Sequence, residues 1–115
     1  MIRILAVLAA LVCVMPALAQ ELPSGLDKAN AIVIDTTKGR IVVKLRTDLA
    51  PHHAARLKQL AREGFYNNVP FHRVIDGFMA QTGDGQHFNG TGGSKYPNLK
   101  AEFSNVNHAR GTCSM

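Results

Sequence analysis

The order of segments in this chain predicts a mainly β domain with some α: an antiparallel barrel with a helix covering an open end. Three observations carry that expectation. Residues 31–35 and 40–45 are β-branched runs on either side of Thr36-Thr37-Lys38-Gly39, with glycine where a hairpin needs positive φ. A second pair of short apolar runs flanks Asp76-Gly77, another hairpin turn. Between the two pairs lies one stretch of helical periodicity. The same order of elements also allows a small open α+β sheet.

The chain of 115 residues is long enough for one small domain. Residues 1–19 read as a signal peptide. They hold one basic residue, Arg3, an apolar run from Ile4 to Met15, and Ala17-Leu18-Ala19, the small-x-small pattern of a cleavage site. A spanning helix needs about 20 apolar residues, and this run is shorter and ends at Pro16. Export to the periplasm or the medium is therefore expected, with no stable membrane association after cleavage. Residues 20–30 hold Pro23, Ser24 and Gly25 without periodicity and read as a leader loop. Residues 31–115 are expected to be the N-terminal part of the domain.

Asp48-Leu49-Ala50-Pro51 opens the helix, because proline in the first turn gives up an N–H that has no helical acceptor. Ala54, Leu57, Leu60 and Ala61 then recur as a narrow apolar stripe, and Gly64 stops it. Tyr66-Asn67-Asn68 reads as a turn. After the second hairpin come Gly83, Gly85, Gly90, Gly92 and Gly93, an irregular glycine-rich loop. Residues 101–103 and 111–115 are expected to add further short strands, or a strand and a turn.

Charge excludes one class of function. Lys and Arg total 13 against 8 Asp and Glu, and cleavage would lower the net charge of +5 by one. The cations are scattered rather than gathered into a stripe with aromatic interleaving, so no nucleic-acid surface is expected. Cys113 is the only cysteine beyond residue 19, which rules out an internal disulfide, and it reads as a small buried hydrophobe. His52 and His53 are adjacent, not four apart, and His72, His87 and His108 lack ligand spacing, so no metal site is expected. Ser94-Lys95 after Gly93 reverses the order of a phosphate-binding loop. Asn89-Gly90-Thr91 fits a glycosylation acceptor and equally a loop turn.

The most specific string is Phe71-His72-Arg73-Val74-Ile75-Asp76-Gly77-Phe78-Met79-Ala80-Gln81-Thr82-Gly83-Asp84. It resembles the signature of the cyclophilins, peptidyl-prolyl cis/trans isomerases that bind proline-containing peptides. The resemblance implies a closed antiparallel barrel capped by helices. It also implies a proline pocket in which Arg73 is catalytic and Phe78, Met79, Gln81 and Gly90 bind substrate, with no metal and no cofactor. Taken singly, Phe78 and Met79 would read as core and Arg73 as a solvated charge; their joint offsets reverse that reading. Expected partners are proline-containing peptides and unfolded exported proteins, met by a protein that is monomeric when complete. A non-catalytic peptide-binding or holdase module is the alternative.

The resemblance runs from about Ala31 to Met115, with residues 97–103 and the exported start closest to bacterial secreted members. The family domain continues beyond the Ser-Met matched by Ser114-Met115, through closing strands and a rim segment with a histidine and a tryptophan or equivalent. This chain contains no tryptophan. The barrel is therefore expected to be incomplete here, with unpaired strand edges that favour self-association and negligible activity from this stretch alone.

Overall fold

The computed structural model describes residues 21–115. The signal-peptide reading of residues 1–19 lies outside the described residues. Within them, two antiparallel hairpins flank one helix, and no helix is long and apolar enough to cross a membrane.

The leader is more ordered than a plain loop. Asp27 accepts the Ala29 N–H at 3.0 Å and the Asn30 side-chain amide at 2.7 Å, and so caps a 3-10 turn over Lys28–Asn30. The turn delivers the chain into β1 (Ala31–Thr36), which pairs antiparallel with β2 (Gly39–Lys44), Val33 opposite Val42. Gly39 takes φ +134 as the sequence requires. The Thr36 hydroxyl donates to the Gly39 carbonyl at 2.7 Å and accepts the Lys38 N–H at 3.1 Å, closing the turn. Asp35 faces Arg40 across the ladder in a bidentate pair, 2.6 and 3.0 Å. That pair lies at the surface and adds little more than register.

The helix α1 spans Pro51–Arg62. Proline occupies its first turn, and Ala50, at the N-cap, provides no side-chain acceptor. Its end is a Schellman motif: Gly64 takes φ +75, its N–H reaches the Ala61 carbonyl at 3.2 Å, and the Phe65 N–H reaches Leu60 at 3.0 Å. The predicted stripe divides on folding. Ala54 and Leu60 are buried and Leu57 is half-buried, whereas Ala61 faces solvent. Lys58 fastens the helix to the 3-10 turn through the Ala29 carbonyl and the Asn30 side chain, at 3.3 and 3.0 Å.

The sheets do not close. β1–β2 and β3–β4 (Arg73–Ile75 with Met79–Gln81) remain separate two-stranded sheets, so the predicted barrel is present as an open, incomplete form. Among the described residues the buried apolar side chains are Leu45, Ala54 and Leu60. Two expectations need correction. Residues 101–103 and 111–115 are irregular, with a turn closed by Thr112 N–H on the Ala109 carbonyl, because no neighbouring strand offers them ladder partners. Cys113 in the same stretch is exposed, not buried, since nothing packs over it.

Candidate functional site

The site residues begin on β3–β4. Ile75 to Phe78 is a turn closed by the Phe78 N–H on the Ile75 carbonyl at 3.1 Å. Gly77 sits at φ +71, where a type II turn needs glycine. Phe78 therefore lies in the turn and not on a strand, and it is 76% exposed. Past the turn, Ile75 pairs with Met79, Val74 with Ala80 and Arg73 with Gln81.

Side chains alternate across a strand, and directly opposed residues share a face, their Cβ atoms about 4.5–5.5 Å apart. Arg73, Ile75, Met79 and Gln81 thus project from one face, and Val74 and Ala80 from the other. Arg73 is exposed, and among the described residues its guanidinium has neither an ion pair nor a hydrogen-bond partner, so its fork is available to a ligand. Met79 and Gln81 are half-buried. Below the ladder, the Thr82 hydroxyl on the Pro70 carbonyl, 2.9 Å, holds the two strands together.

Gly90 comes from the glycine-rich loop. The centre of that loop is Asp84, only 6% exposed. Its Oδ1 accepts the N–H groups of Gln86 and His87 at 3.0 and 2.8 Å. Its Oδ2 accepts those of Asn89, Gly90 and Gly92 at 3.2, 2.8 and 3.0 Å. The His87 N–H contributes most to holding the Asp84 carboxyl well below the usual range. Burial opposes this, and the other backbone donors reinforce it. Glycines fit where side chains would not. A Cβ on Gly92 would stand 2.3 Å from Asp84 Oδ1, and one on Gly90, at φ +90, 2.8 Å from His72 Nε2. Asn89 spends its side-chain oxygen on Thr91, at 3.0 Å from the N–H and 2.7 Å from the hydroxyl, so its segment is built as a turn.

The structure thus brings Arg73, Met79 and Gln81 onto one face, sets Phe78 at its end, and seats Gly90 against the residue before Arg73. Two open concavities, about 200 and 320 Å³, lie elsewhere, and none of these five residues lines them. No group of His, Cys, Asp and Glu among the described residues could hold a metal ion. His53 instead bonds Glu102 and His87 bonds Thr91. The sequence reading missed Asp84 and His72 as structural partners of the site. A lone aspartate heading nine residues with four glycines and many free N–H groups was the available signal.

Comparison with known proteins identifies the family. Residues 31–115 match the family model of the cyclophilin type peptidyl-prolyl cis-trans isomerases. The chain is 48% identical over 107 residues to a probable peptidyl-prolyl cis-trans isomerase of Brucella suis, covering 84% of this chain and 55% of that protein. It is 44% identical over 92 residues to a peptidyl-prolyl cis-trans isomerase of Helicobacter pylori J99, 78% of this chain and 56% of the relative. A third, from Synechococcus elongatus, is 40% identical over 83 residues, 72% and 56%. No solved structure matches significantly. The chain belongs to the cyclophilin-type peptidyl-prolyl cis-trans isomerase family. It spans about half the length of the curated relatives it matches.

Proposed function

We propose that this chain carries the amide-rotating half of a peptidyl-prolyl cis/trans isomerase site, acting on proline-containing peptides and on unfolded exported proteins. The observation that carries this reading is the register of β3–β4, which sets Arg73 directly opposite Gln81 with Met79 on the same face.

Rotation about an X–Pro bond faces a barrier of about 18–20 kcal/mol because the planar amide is resonance-stabilised. No covalent bond breaks, so the task is to stabilise the twisted amide more than the planar one. As the bond twists, the proline nitrogen regains a lone pair. Arg73 donates to that nitrogen from a fixed, permanently charged fork. Phe78 and Met79 supply apolar area for the proline ring, and Gln81 offers a donor and an acceptor to the substrate backbone. Gly90 borders the bound peptide. The chemistry asks for no metal and no cofactor.

A second reading, peptide holding without catalysis, is favoured by the apolar surface left open at Phe78, Val74 (67% exposed) and Phe103 (94%). A proline-peptide isomerisation assay with Arg73→Ala as control separates the two, since holding survives loss of the guanidinium and turnover does not. The export reading places the protein in the periplasm or outside the cell, monomeric when complete. N-terminal sequencing of secreted material beginning at Gln20 supports it; a cytoplasmic product retaining Met1 contradicts it.

A further inference from the structure

One buried carboxylate arranges five of the nine backbone donors in residues 85–93, the loop that carries Gly90. Asp84 holds five N–H groups, two on one oxygen and three on the other. An asparagine of the same shape would keep one acceptor and turn an NH2 group toward donors, so the carboxylate is required chemically as well as sterically. The loop it holds is under tension: Phe88 takes φ +60, a conformation that bulky side chains avoid and that costs of order 1–3 kcal/mol. Gln86 adds a second tie through its side-chain oxygen, which accepts the Gly93 N–H at 3.0 Å.

This loop approaches the residue that precedes β3. His72 Nε2 lies 2.8 Å from where a Gly90 Cβ would be, and His72 Nδ1 is buried with no hydrogen-bond partner among the described residues. With no bond at Nδ1 to fix it, the ring's place depends on packing, and Gly90 is one of its neighbours. His72 and Arg73 share a planar peptide unit, so displacement of one Cα tilts the other.

We propose that Asp84 and His72 are positioning residues of the proline-peptide site: Asp84 sets the place of Gly90, Gly90 confines the His72 ring, and His72 sets the start of the strand that aims Arg73. The inference deepens the isomerase reading and rests on it for its functional consequence. Neither residue touches the substrate; both act through Arg73 and Gly90.

The test uses the chain as it is. Residue-resolved amide hydrogen exchange, and affinity for a succinyl-Ala-Ala-Pro-Phe peptide, are measured for the native sequence, Asp84→Asn, Gly90→Ala and Gly90→Ala with His72→Ala. Asp84→Asn should speed exchange at Gln86, His87, Asn89, Gly90 and Gly92, and also at Arg73 and Gln81, while α1 and β1–β2 exchange as before. Peptide affinity should fall about tenfold, 1.4 kcal/mol. Gly90→Ala should disturb Arg73 in the same way, and removing the His72 ring should return Arg73 exchange toward the native rate, an effect that loop damage alone does not produce. Changes confined to residues 84–93 overturn the proposal, as does a double variant no better than Gly90→Ala. Should Asp84→Asn unfold the chain, the Gly90–His72 pair decides. A native chain that binds no peptide counts against the isomerase reading, while exchange at Arg73 still decides the positioning.

Discussion

Glu102 and His53 meet across 49 positions of sequence: the imidazole Nδ1 lies 2.6 Å from Glu102 Oε2, and the same oxygen accepts the His53 backbone N–H at 3.0 Å. The other oxygen takes the His52 N–H at 3.1 Å. Glu102 is thus the N-terminal cap that Ala50 cannot provide, and it supplies negative charge where the helix dipole favours it. It also fastens the irregular segment around residue 102 to α1.

This cap gives the fold an acid limit. Burial pushes the Glu102 pKa up, but the hydrogen bonds from the His53 ring and from the His53 and His52 N–H groups outweigh it and lower the pKa from 4.5 to about 2. A carboxyl whose pKa is lower folded than unfolded contributes stability that is full above about pH 4.5 and is lost as pH falls toward 2. Glu102→Gln should lower the thermal midpoint at neutral pH and remove this part of the acid dependence. Thermal scans from neutral pH into acid check it: parallel curves for the two chains would contradict the assignment.

Leu60 is one of two leucines among the buried apolar side chains of the described residues, and its carbonyl also closes the Schellman turn. Leu60→Ala should cost about 2–5 kcal/mol. Small domains hold only about 5–15 kcal/mol in total. Far-UV circular dichroism under denaturant should show most of the helical signal lost at a much lower midpoint. Ala61→Ser, on the exposed side, should move it little.

Every strand in the two hairpins is an edge, and Val74 presents an exposed apolar side chain on the face away from Arg73. Concentrated chain should therefore self-associate. Val74→Lys places a charge on that edge and should shift sedimentation toward monomer without altering peptide affinity. Unchanged association would place the contact on another surface.

Local chemistry made much of this fold legible in advance. Gly39 and Gly77 marked turns that need positive φ, Pro51 and Gly64 bounded the helix, and Tyr66-Asn67-Asn68 turned where expected, with Asn68 at φ +59. The errors arose where local pattern met missing partners. Residues 101–103 and 111–115 have strand-like composition, but a strand exists only beside another, and Cys113 is buried only if something covers it. Long-range polar pairing was invisible for a different reason. Glu102 on His52 and His53, and Asp84 on five backbone donors, depend on which N–H groups the fold leaves without acceptors, and side-chain types do not record that.

The same distinction holds for the site. The offsets of Arg73, Phe78, Met79 and Gln81 were readable because a hairpin converts spacing into a shared face. Phe78 moved into the turn because the closing bond runs from its own N–H. The seating of Gly90 on His72 needed the folded loop to be seen.

The most direct test of the account is the rate at which a proline peptide isomerises when Arg73 is replaced, with the chain joined to the part of the Brucella suis relative that lies beyond the match. Arg73→Ala should lower turnover by about 10²–10³ while peptide affinity changes far less, because the hydrogen bond strengthens only as the nitrogen loses planarity. Arg73→Lys should recover little, since an ammonium on a flexible stem does not reproduce the guanidinium fork. Near-native turnover in the alanine variant would contradict the assigned mechanism.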